Sequence, residues 1–140
     1  MNAPGRGLLI VSGVMLVIVG IVGLGAWGVM QPSPPPAMEL ASPFIFGLSW
    51  RVVYTLMFLF SGFCVGIALD GLIHCNAPNK AGALKIRGFV VLVLEILSII
   101  LFIRHIDFSV GYLIIPGIII MYIVGAVKNE NAWMRDLASG

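Results

Sequence analysis

From Leu8 to Met30 the chain carries no charged residue. As a helix that stretch is about 34 Å long, enough to cross a hydrocarbon layer of about 30 Å. Arg6 precedes it, as a basic residue precedes a signal peptide, but the apolar core of a signal is only about 7–15 residues long. The stretch therefore reads as a first membrane span over residues 8–30. Three further apolar runs follow, at 50–73, 86–103 and 108–127. Sixty per cent of the chain is hydrophobic and 10% is charged, against about a quarter charged in a soluble domain. A surface so poor in charge calls for lipid as its solvent. The expected fold is all-α: one domain over residues 1–140, an integral membrane bundle of four transmembrane helices in up-down order.

The links between the runs have distinct chemistry. Residues 31–42 hold Pro32, Pro34, Pro35 and Pro36, which favour an extended polyproline loop. Ser42 followed by Pro43 reads as a helix cap with proline at the first helical position. A helix unbroken from Pro43 to His74 would be about 48 Å long, too long for an upright span. Gly47 and Ser49 divide it into a short interfacial piece, Pro43 to Leu48, and a second span. Asn76-Ala77-Pro78-Asn79 stops that span. Only Arg104 to Asp107 join the third and fourth spans, which forces an antiparallel hairpin with Asp107 as the cap of the fourth helix. Asn129 to Gly140 reads as a polar tail with Trp133 as an anchor.

Charge sets the expected orientation. With four spans, Arg6, Lys80, Lys85, Arg87, Lys128 and Arg135 share one side, and Arg51 and Arg104 the other. This bias places both termini on the cytoplasmic side, or its matrix or stromal equivalent. Trp27, Trp50, Tyr54 and Tyr112 then fall near the opposite interface, where amphipathic rings prefer to sit. A net charge of +2 without a basic patch gives no footprint for nucleic acid.

Glu95 is the most informative single residue. A charge at the centre of a lone span costs at least about 2.5–3.5 kcal/mol, so its carboxyl is expected to be neutral or to face the bundle or another subunit. Depth counting offers Ser61, Cys64, Ser98, Tyr112 and Pro116 as its neighbours. Proline at 116 in mid-helix would leave the Tyr112 carbonyl open to a protonated Glu95. The functional reading is a proton- or ion-coupled carboxylate, and the bland one a group that fixes helix packing.

Asp70 and His74 share a helix face, level with Lys85 and Arg87, and read as an interfacial ion cluster. A metal site of Asp70, His74 and Cys75 is disfavoured because neighbouring side chains diverge on a helix. Cys64 and Cys75 are expected to be free thiols. Gly13, Gly20 and Gly23 in the first span, and Gly62 and Gly66 in the second, mark close-packing faces. No nucleophile elbow, P-loop, dinucleotide fingerprint or zinc motif occurs. No cofactor is expected, though lipid or pigment fits between such helices.

Small multidrug exporters carry their glutamate in the first helix, and glutathione-linked membrane enzymes carry a polar constellation in theirs; this chain has neither. A glycine-rich first span, Arg51 and Tyr54 opening the second, and Arg87-Gly88-Phe89 opening the third resemble the small four-helix COPI-associated Golgi membrane proteins. That resemblance implies an accessory trafficking role without catalysis. The residues themselves give the same expectation: a non-enzymatic accessory or structural subunit of a larger membrane assembly. Its partners would be the bilayer and other membrane subunits, like or unlike. The alternative is a small proton- or ion-coupled transporter or channel component built on Glu95.

Overall fold

The computed structural model describes residues 3–30, 44–45, 48–102 and 113–139. Among them are four helices: α1 (Arg6–Met30), α2 (Trp50–Ile73), α3 (Ala81–Phe102) and α4 (Ile114–Ser139). A 3-10 turn at Pro78–Lys80 leads into α3, and Phe44–Ile45 pairs antiparallel with Leu48–Ser49 before α2. Aromatic and β-branched residues at 44 and 45 suit that pairing, and it replaces the short interfacial helix expected at Pro43 to Leu48.

α1 and α2 are long and apolar enough to cross a membrane, over Arg6–Val29 and Arg51–Ile73. The other two helices fall short of that test among the described residues. α3 carries Lys85, Arg87 and Glu95 within its length. In α4 the apolar part ends at Val127, and from Ile114 it rises only about 21 Å.

α1 begins without an acidic or hydroxyl cap of its own. Gly5 takes the cap position, its carbonyl accepting the Leu9 N–H at 3.1 Å. The Gly5 N–H donates to Asn129 Oδ1 at 2.5 Å, so the cap is completed by a helix 124 residues away. A β-carbon at residue 5 would collide with the Gly125 carbonyl, which is why this contact needs glycine.

Glycine also seats α1 on α2. A β-carbon at Gly20 would lie 2.5 Å from Val65 Cγ2, and one at Gly23 2.5 Å from Ser61 Oγ. At Gly13 it would meet Leu72 at 2.9 Å. Rising numbers on α1 meet falling numbers on α2, so the two helices run antiparallel. Close backbone approach is what these small residues permit. The matching positions on α2 are Ser61, Val65, Ala68 and Leu72 rather than its glycines. Gly62 reaches only Leu24, at 3.7 Å, and nothing lies within 4 Å of a β-carbon at Gly66.

Tyr122 of α4 is wholly buried, its ring closing against Gly71 of α2 and Gly88 of α3. Its hydroxyl donates to the Ile67 carbonyl at 3.2 Å. Around it Leu9, Ile67, Ala68, Leu84, Val91, Ile119 and Ala126 form the core. The outside is apolar too: Val11, Ile18, Leu59, Phe63, Ile86, Val93, Leu97 and Ile120 are all exposed.

Two boundaries differ from expectation. α4 continues through the supposed polar tail to Ser139, because Asn129 and Glu130 have partners inside the bundle. α3 begins at Ala81 rather than at Ile86. Pro116 is the third residue of α4 over Ile114–Ser139, and the expected start of the fourth span at residue 108 lies outside the described residues. Tyr112, Ser42, Pro43, Asp107 and Arg104 lie outside the described residues.

Candidate functional site

Two groups of residues were singled out as possible sites, and the bundle separates them. The first is Glu95. α3 turns it inward, and it is 7% exposed in the half of the bundle away from Gly5 and Asn129. It lines a cavity of about 350 Å³ to which all four helices contribute. α1 supplies Leu16, Val19, Gly20, Val22, Gly23 and Trp27, and α2 supplies Met57, Phe60, Ser61 and Cys64. α3 adds Glu95, Ser98 and Ile99, and α4 adds Ile115. Of the neighbours expected for Glu95, Ser61, Cys64 and Ser98 share the cavity with it. Ile115, next to Pro116, reaches the same wall.

Gly20 and Gly23 bring α1 hard against α2 along one wall of the cavity. Trp27 stacks in a tilted geometry on Tyr54, ring centroids 5.6 Å apart, at the same end. Val22 stands exposed at the rim. Toward the Gly5 end the packed residues Cys64, Ile67, Tyr122 and Val91 close the floor.

The two serine hydroxyls of this cavity are committed as donors. Ser61 gives its hydroxyl hydrogen to the Met57 carbonyl at 2.9 Å, and Ser98 gives its own to Leu94 at 3.0 Å. Their oxygens therefore offer lone pairs only. The Glu95 carboxyl makes no hydrogen bond or ion pair with another described residue, so it does not fix packing through a bond.

The second group is the ion cluster at the Gly5 end. Asp70 pairs with Arg87 across α2 and α3, and its carboxylate lies 3.1 Å from His74 Nδ1. Lys85 turns away from Asp70 and pairs with Glu130 of α4. The expected four-residue cluster is thus two pairs, one tying α3 to α2 and the other tying α3 to α4. All these side chains are partly exposed, so each pair adds no more than about 1 kcal/mol. Among the described residues no three His, Cys, Asp or Glu side chains are placed to share a metal ion. Cys64 and Cys75 are both free and buried.

Sequence reasoning missed a third feature, the Asn129 bridge. Asn129 is fully buried. Besides accepting from Gly5, it donates through Nδ2 to the Cys75 carbonyl at 3.1 Å. One amide thereby joins the start of α1, the end of α2 and the middle of α4. Residues in contact at separations of 54 and 124 leave no local spacing to read.

No family model, curated protein or solved structure matches this chain.

Proposed function

We propose that the chain is a four-span membrane protein, with both termini on the basic, cytoplasmic side, and that it serves as a non-enzymatic accessory subunit of a larger membrane assembly. The observation that carries this reading is the bare surface of α3. Ile86, Phe89, Val90, Val93, Leu94, Ile96, Leu97 and Ile100 are all exposed on it. α1 has most of its small residues engaged by α2, whereas α3 leans mainly on α4 and leaves the rest of its circumference uncovered. An apolar area of this kind marks a membrane or protein contact. The run from Phe108 to Leu113 adds the length that the described part of α4 lacks as a span.

Photo-reactive residues placed at Phe89, Val93 and Leu97 test the assignment in native membranes. The expected result is adducts with other polypeptides, which travel with the chain in mild detergent. Adducts with lipid alone, on a chain that purifies by itself, would refute it.

The unbonded Glu95 favours a second reading, a proton- or ion-coupled transporter component. An intramembrane carboxylate without a partner is a functional candidate by default. Against it stands the packed floor of the cavity, where the Tyr122 hydroxyl is already bonded to the Ile67 carbonyl. Glu95→Gln in liposomes separates the two: flux abolished with the fold intact selects transport.

A further inference from the structure

We propose that the Glu95 cavity is a binding site for a small hydrophobic amine in its protonated form. Three observations carry the argument. The first is the composition of the wall. Its oxygens, those of Glu95, Ser61 and Ser98, act as acceptors, because both serine hydrogens are already committed to Met57 and Leu94. Acceptor oxygens select a ligand that brings donors, and a carboxylate selects one that brings positive charge. A primary ammonium has both: three N–H donors and a single charge.

The second is the burial of Glu95. The residue is 7% exposed, it borders the cavity, and no described residue bonds to its carboxyl. A carboxyl placed in this way can take a donor from a molecule in the cavity.

The third is size and shape. About 350 Å³ lies at the lower end of small-molecule pockets and is far too little for a partner helix about 10 Å across. The remaining wall is aliphatic or aromatic, with Trp27 offering a ring face to a cation. A short alkyl or aralkyl chain fills that space while its nitrogen meets Glu95. Val22, at the rim, leaves the apolar exterior as the way in, which suits a ligand already dissolved in the bilayer.

The site leans on the membrane reading only for this access route and is independent of the accessory-subunit reading. Its test uses the isolated chain, so failure of one does not imply failure of the other. The probes are n-hexylammonium and its neutral counterpart n-hexanol, titrated calorimetrically into the purified full-length protein in maltoside detergent. Maleimide labelling of Cys64, which lines the cavity, is followed alongside, with Cys75 at the far end as internal control. The expected result is saturable hexylammonium binding that slows labelling of Cys64 and leaves Cys75 unchanged. Hexanol should bind roughly tenfold more weakly or worse, and Glu95→Gln should erase that preference. Ser98→Ala, which removes one acceptor, should weaken the amine several-fold and leave hexanol unaffected. Equal binding of the two probes, no protection of Cys64, or full amine affinity in a folded Glu95→Gln protein would each overturn the assignment. If Glu95→Gln does not fold, the comparison of probes on the unaltered chain decides.

Discussion

Asn129→Ala should loosen one end of the bundle and leave the other intact. The side chain is fully buried and makes two bonds, from the Gly5 N–H and to the Cys75 carbonyl. Truncation leaves a buried donor and a buried acceptor without partners, each costing about 1–3 kcal/mol. The lower bound, with both groups partly rehydrated, is about 2 kcal/mol, equivalent to a roughly thirtyfold change in an opening equilibrium. Cys75 reports that opening directly, since the residue is only 8% exposed and its carbonyl is the group released. Maleimide labelling of Cys75 in detergent should accelerate by roughly that factor, provided reclosing outpaces the chemistry. Cys64, walled into the other half, should react at its original rate. Asn131→Ala, two residues on and exposed, is the control and should change stability by less than about 0.5 kcal/mol. If Cys75 labels no faster in Asn129→Ala than in Asn131→Ala, the bridge does not hold the two ends together.

Gly71→Ala should destabilise the bundle by about 1–3 kcal/mol, because the added methyl meets the Tyr122 ring, whereas Gly66→Ala, with open space around it, should be close to neutral in the same detergent-unfolding assay. Tyr122→Phe should cost about 0.5–1.5 kcal/mol, the usual net worth of an intramolecular hydrogen bond. Lys85→Glu should lower stability by at most about 1 kcal/mol, with recovery when combined with Glu130→Lys, and the effect should shrink as salt is added.

Much of the architecture was legible because its causes are local. α2 begins at Trp50 and ends at Ile73 where the apolar run does, and α1 begins two residues before its run. The α1 glycines were legible as a packing stripe, since helical spacing puts them on one side. The glycines of α2 misled, because a small residue signals permission for close approach and not which helix uses it. α3 begins at Ala81, earlier than the apolar run at Ile86, because proline at 78 opens a turn and Ala81, Gly82 and Ala83 extend it. The end of α4 was misread for a related reason. Lys128 to Asn131 looks like a stop when read along the chain, yet Asn129 and Glu130 are satisfied by Gly5, Cys75 and Lys85, which are close only once the chain has folded. The inward turn of Glu95 was legible from the cost of a charge in lipid. The acceptor role of the two serine oxygens was not, since it depends on where their hydrogens go.

The amide at position 129 also fixes an order of events during synthesis. The first turn of α1 takes its terminal partner from a residue that the ribosome adds 124 positions later. Until that residue arrives, α1 and α2 can pair through their glycines, but the leading end of the molecule stays unfastened. A chain cut short before Asn129 would therefore show its defect at the opposite terminus, where a protease could distinguish unfinished copies from complete ones.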